Sequence, residues 1–197
     1  MLAMSILSGI KVLDFTHYIS GPYCSQILGD HGAEVIKVEQ IGGENGRVSK
    51  PIYHNESLYF AVQNRNKRAL SINLKAREGQ EIIRKLVKDS DILITNYGAG
   101  VPERLGIDFD TISKINPQIS MVHITGFGLN GPYRDYRAYD GIIQVMSGIA
   151  SLSGQREGPP TMVGTYIADQ LAGLQAALGA MLCLMNRERT GKGKFVD

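Results

Sequence analysis

A chain of 197 residues, 43% hydrophobic and 20% charged, is long enough to bury a sizeable core and ordinary enough in composition to be globular. Its net charge of +2 creates no field that would select nucleic acid or an anionic membrane, so neither is expected as a partner. Two cysteines, Cys24 and Cys183, make neither a disulfide framework nor a metal-ligand spacing, and the four histidines (His17, His31, His54 and His123) have no metal-binding spacing either, so no metal is expected.

The opening stretch, "MLAMSILSGIKVLDF", has no basic segment and no small-residue cleavage site, so no leader is read there and the cytoplasm is the default compartment. Five Val- and Ile-rich runs bounded by Gly, Pro, Asn or Asp then read as strands, at 10–15, 34–39, 69–74, 91–96 and 119–125. Between the first two, Pro22 suits the first turn of a helix and Gly32 its end. After Lys75, the apolar residues Ile82, Ile83, Leu86 and Val87 repeat at helical intervals with charges on the opposite face. Strand–helix alternation with near-continuous apolar strands predicts an α/β fold, an open, mostly parallel Rossmann-like sheet with helices on both faces.

Residues 40–57 and 126–138 read as exposed excursions, and past residue 139 the pattern turns helical. The apolar stretch 171–186 is interrupted by Gly173, Gln175 and Gly179, which suits a core helix better than a membrane span, and Cys183 within it reads as a buried thiol. The last residues, "GKGKFVD", are a glycine turn and the opening of a new apolar run, which suggests a fold cut short.

One acid, Asp169, stands at the head of that stretch, with no further charge until Arg187. Spacing alone favours an N-cap, since Asp satisfies the free amides of a first turn and complements the helix dipole. The same position would also keep a carboxylate ionised beside an apolar wall, ready to attack a carbonyl carbon. The small residues behind it, Ala172, Gly173, Ala176, Ala177 and Ala180, permit close helix packing.

Other candidates lie where strands end, because ligands of parallel sheets gather beyond the carboxyl ends. These ends read "THYISGP", "EQIGG", "NLK", "NYGAG" and "GFGLNGP", and glycines in them let backbone amides approach an anion. The run GFGLNG at 126–131 spells GxGxxG, but Pro132 and a charged excursion follow it instead of a helix, so it is a weak match to a dinucleotide fingerprint. Neither GxxxxGK[ST] nor GxSxG occurs, which weighs against nucleotide hydrolysis and a serine nucleophile. Arg104 and Lys75 are candidate anion partners, whereas Arg65, Lys67 and Arg68 read as a solvated surface.

The segments "GIKVLDFTHYISGPYCSQILGDHGAEVIKVE", "NRNKRALSINLK", "DILITNYGAGVPERLGID", "INPQISMVHITGFG" and "RTGKGKFVD" together resemble the amino-terminal half of the class III CoA-transferases, in the family's order and spacing. The resemblance implies that residues 1–197 are the amino-terminal part of the family's large domain, with the second half absent. It implies an interlocked homodimer or a complementing chain, acyl-CoA and a carboxylic acid as substrates, and transfer of CoA between them. Asp169 matches the family's catalytic aspartate. The family's coenzyme A contacts map onto Ile19, Ser20 and Gln40, then Ile72, Asn73, Leu74 and Lys75. They continue with Asn96, Tyr97, Gly98 and Arg104, and with Arg137, Ala138, Tyr139 and Asp140. Lys75, Arg104 and Arg137 would meet phosphates, and the apolar residues would flank the adenine.

Two readings compete with transfer. The chain also resembles alpha-methylacyl-CoA racemases, but their proton-shuttling histidine aligns with Tyr139, and a tyrosine with a pKa of about 10 is a poor base at neutral pH. The other is a non-catalytic CoA-binding fragment, or one subunit of a split protein.

Overall fold

The computed structural model describes residues 5–197; the first four residues, part of the stretch read for a leader, lie outside it. In chain order the strands and helices begin β1 (Lys11–Phe15), α1 (Ser20–Asp30), β2 (Glu34–Glu39), β3 (Ile52–Tyr53), β4 (Glu56–Ser57), α2 (Leu58–Asn64), β5 (Lys67–Ser71) and α3 (Arg77–Lys88). They continue β6 (Ile92–Thr95), α4 (Val101–Leu105), α5 (Phe109–Ile115), β7 (Ser120–His123), α6 (Asp140–Met146), α7 (Ile149–Leu152), α8 (Ile167–Thr190) and β8 (Phe195–Val196). The main sheet has the order β5-β2-β1-β6-β7-β8 with every pair parallel, and β3–β4 is a separate short hairpin.

Alternate side chains of each central strand enter two different cores, which is why apolar residues stand side by side in these strands instead of alternating with polar ones. Val12, Ile92, Ile94 and Val122 pack with Cys24 and Leu28 of α1 and Ala176, Ala177 and Ala180 of α8. Leu13, Phe15, Leu93 and Met121 pack on the opposite face with Ile83 and Val87 of α3 and Ile112 of α5. Helices therefore cover both faces, as expected.

Three expectations shift. The strand read at 69–74 is β5 at Lys67–Ser71: the Ile72 amide still donates to the Glu39 carbonyl (2.8 Å), but Asn73 then turns the chain, its Oδ1 accepting from the Lys75 amide (3.0 Å). The excursion at 40–57 holds a 3₁₀ turn at Asn45–Val48 and the β3–β4 hairpin, followed by α2. The terminal apolar run does become a strand, β8, seated parallel on β7.

By length and composition α8 would suffice to cross a membrane, yet one of its faces is core. Gly173, Ala176, Ala177, Ala180, Cys183 and Leu184 are buried, while Leu171, Leu174, Leu178, Leu182 and Met185 form an exposed apolar stripe. Gly173 sets how closely α8 meets α1. A Cβ there would lie 2.5 Å from the Ser20 carbonyl oxygen and 3.0 Å from the Tyr23 ring. Because the obstacle is backbone, Gly173→Ala is expected to push the two helices apart at a cost of about 1–3 kcal/mol, read as a lower urea midpoint. A midpoint equal to wild type would show that the contact yields freely.

Candidate active site

The chain runs from β1 outward to β2 and β5, then crosses back to β6 on β1's other side. Such a reversal opens a crevice beyond the strands' carboxyl ends, the usual ligand position in this architecture. Here it is an open cleft of about 660 Å³, bounded by the loops after β1, β6 and β7 and by the start of α8. Asn96 ties the first two loops across the reversal. Its Oδ1 accepts from the His17 amide (2.9 Å), and its Nδ2 donates to the His17 carbonyl (2.7 Å).

Asp169 lines this cleft half-buried, with Ala168 and Ala172 on the same helix. It is not the N-cap. The helix begins at Ile167, which places Asp169 at the third helical position, and Tyr166 in the capping position offers no side-chain bond. The free amides are satisfied from outside: Asp140 Oδ1 accepts from the amides of Ala168 (2.8 Å) and Asp169 (3.2 Å). Burial, and after it the charge of Asp140, raises the Asp169 carboxyl from 3.8 to about 6, against the opposing Ser20 hydroxyl. A carboxylate with that value is still mostly ionised at neutral pH and more basic than an exposed aspartate.

Aromatic rings line the crevice. The Tyr139 and Tyr18 rings meet edge-on at 5.9 Å, as do Tyr18 and His17 at 4.9 Å, while His17 and Tyr97 lie tilted at 5.4 Å. Burial lowers the pKa of His17, which leaves a neutral imidazole at pH 7. Tyr18 holds a left-handed backbone (φ 63°), and its hydroxyl accepts from Asn45 Nδ2 at 3.1 Å. Beneath the loop lies a buried charge cluster. Asp14, fully buried, accepts from Lys67 Nζ (3.0 Å), the Ser25 hydroxyl (2.6 Å) and the Thr16 amide (2.8 Å). Burial works to raise its pKa, but Lys37 and Lys67 with the Ser25 and Thr16 hydroxyls hold the carboxyl well below the usual carboxylate range. Lys67 was read as solvated surface and is instead interior, its side chain 2% exposed; Arg65 and Arg68 do lie outside, paired with Asp30 and Glu34.

Of the residues expected at the site, Ser20, Asn96, Tyr97, Gly98, Arg104, Arg137, Ala138, Tyr139, Asp140 and Asp169 all line the one cleft. Gln40, Ile72, Asn73, Leu74 and Lys75 stand outside it, further along the same carboxyl edge, after β2 and β5. Ile19 (4% exposed) and Ile72 (8%) are core side chains, so neither can flank an adenine ring; a contact there would be through backbone. The Asp140 carboxylate is occupied by the α8 amides and by Gln144 Nε2.

The cleft also holds His17, Tyr18 and Arg134, which no spacing singled out although their loops were read as strand ends. Tyr59 on α2 feels the charges of Glu44 and Asp169; burial first, then these, pushes its phenol up and keeps it protonated. No local pattern pointed to it.

The family model described as "CoA-transferase family III" matches residues 7–197. The chain belongs to that family. It is 41% identical over 194 residues to a formyl-CoA:oxalate CoA-transferase of Rhodopseudomonas palustris, covering 96% of this chain and 45% of that one. It is 39% identical over 194 residues to the succinyl-CoA–L-malate CoA-transferase beta subunit of Chloroflexus aurantiacus, covering 97% and 48%. A crystal structure of a CAIB/BAIF family protein from Brucella suis superposes with a TM-score of 0.94 at 36% identity, covering 98% of this chain and 52% of that one. The chain thus spans about half the length of the curated relatives it matches.

Proposed function

We propose that this chain carries the nucleophile and part of the coenzyme A site of an enzyme that moves CoA from an acyl-CoA donor to a carboxylic acid. The observation that carries the proposal is the position of Asp169: half-buried at the head of α8, on the wall of the cleft at the sheet's reversal.

The Asp169 carboxylate attacks the donor thioester carbonyl; a C–O bond forms, the C–S bond breaks, and CoA leaves as a thiolate, giving a mixed anhydride on the aspartate. The thiolate then attacks the aspartyl carbonyl, which forms an aspartyl thioester and releases the donor acid. The acceptor carboxylate reverses both steps and leaves as its CoA thioester. Each step exchanges one activated acyl group for another, so no nucleotide is consumed. Arg104, Arg134 and Arg137 bring guanidinium groups to the cleft, which suits the phosphates of CoA. A homodimer or a complementing chain is part of the proposal: the relatives are about twice as long, and one of them is named as a beta subunit.

The test is transfer itself. The chain, with the polypeptide that completes it, is mixed with an acyl-CoA and a second carboxylic acid, and the new thioester is measured. Because Asp169 attacks only when ionised, the first-step rate is expected to rise with pH through a midpoint near 6 and then level off. A rate independent of pH from 4 to 8 would remove Asp169 from that step. Exchange of a proton alpha to the thioester without CoA transfer would favour the racemase chemistry instead.

A further inference from the structure

We propose that Asp140 is a positioning residue for Asp169, a role distinct from the coenzyme A contact assigned to it by resemblance. The name rests on the reading of Asp169 as nucleophile, but the geometry does not. Asp140 is the first residue of α6, is 7% exposed, and reaches across to the unsatisfied end of α8. One of its oxygens accepts from both the Ala168 and Asp169 amides, and the other accepts from Gln144 Nε2. Gln144, 2% exposed, extends the brace: its Nε2 also donates to the Thr165 carbonyl (3.1 Å), and its Oε1 accepts from the Val163 amide (2.8 Å). Two residues one turn apart on α6 thus fix the backbone from 163 to 169.

An ordinary N-cap would come from the residue preceding the helix, here Tyr166, which offers no side-chain bond. Here the cap is borrowed from another helix. It holds the peptide of Asp169 in register while placing a like charge behind its side chain, which disfavours the ionised form and makes the carboxylate more basic. The other ionisable groups nearby are Tyr59 from α2 with Glu44 beside it, His17 and Tyr18 after β1, Tyr97 after β6, Arg104 on α4, Arg134, Asp135, Tyr136, Arg137 and Tyr139 between β7 and α6, and Tyr166 just before α8.

The test needs no turnover. Carbon-13 labelling of aspartate side chains in the full chain, with the Asp169 signal assigned by its loss in Asp169→Asn, gives the Asp169 titration midpoint directly. Asp140→Asn keeps an oxygen for the two amides and removes the charge, so the midpoint is expected to fall by about 0.5–1 pH unit. An unchanged midpoint in the folded variant overturns the proposal. Amide hydrogen exchange of the wild-type chain decides the matter if the variant does not fold. Protected Ala168 and Asp169 amides support the external cap, and exchange at the rate of an uncapped first turn overturns it. Failure of acyl capture on Asp169 would sink the transferase reading and leave these results unaffected.

Discussion

Asp169→Asn is expected to lower covalent capture of an acyl group by at least ~10³-fold and, at the same time, to make the folded chain more stable at pH 7. The carboxamide keeps size and shape but cannot attack as an anion. The stability change follows from the raised carboxyl, from 3.8 to about 6. Between those values the folded chain holds a proton that the unfolded chain has released, so stability falls as pH rises, and the loss is complete above about 6. Removing the acid recovers that loss at neutral pH and recovers nothing below pH 4. A shift of this size would correspond to ~3 kcal/mol if fully expressed, but the side chain is partly open to water, and a gain on the order of 1 kcal/mol is the realistic figure. Denaturation of both proteins at pH 4 and pH 7 checks it: an Asn variant no more stable at pH 7 would mean that Asp169 is not held at an energetic disadvantage.

The largest loss of stability is expected from Asp14→Ala. Without Asp14, Lys67 keeps, among the described residues, the Pro22 carbonyl (2.9 Å) and Asn64 Oδ1 (2.8 Å), and Lys37 the Thr16 carbonyl (2.8 Å) with Glu44 at 3.6 Å. Two buried ammonium groups then lack their shared counter-charge, at a cost of about 3–5 kcal/mol. The Thr16 amide also loses its acceptor, so the loop carrying His17 and Ser20 to the cleft loses its footing. Since the Asp14 carboxyl is depressed on folding from its ordinary 3.8, its stabilising contribution is complete above that value and is lost as pH falls below it. Urea midpoints at pH 7 should fall steeply in the variant, and the wild type's added acid sensitivity below pH 4 should be missing. A variant within 1 kcal/mol of wild type would show that water reaches these lysines.

Four of the five strands were legible because helices cover both sheet faces where they run, so apolar residues destined for opposite cores stand next to each other, as Val12–Leu13, Ile92–Leu93 and Met121–Val122 do. The edge strand β5 is largely exposed and was the one misplaced. The segment from 40 to 64 was opaque because it is held by side-chain bonds across its own turns that follow neither helix nor strand spacing. Arg47 pairs with Glu39 at the end of β2 (Nε to Oε1, 2.8 Å), and the Ser57 hydroxyl both caps α2 and donates to the Ser49 carbonyl (2.6 Å). Lys67 read as surface because its carboxylate partner lies 53 residues earlier. At Asp169 the sequence pattern identified the acid and its helix but assigned the cap to the wrong residue, because the real cap is Asp140, 29 positions before it. Spacing drew attention to the acid, the family resemblance supplied the role proposed for it, and only the fold shows what holds its backbone.

The most direct measurement is the mass of the Asp169 peptide after the chain meets an acyl-CoA and the mixture is quenched with hydroxylamine. Conversion of Asp169 to its hydroxamate, absent without acyl-CoA, is the expected result, because anhydride and thioester at that carboxyl both yield it. An unmodified Asp169 in a chain shown to bind acyl-CoA, or a hydroxamate on some other carboxylate, would contradict the assignment of this side chain as the acyl acceptor.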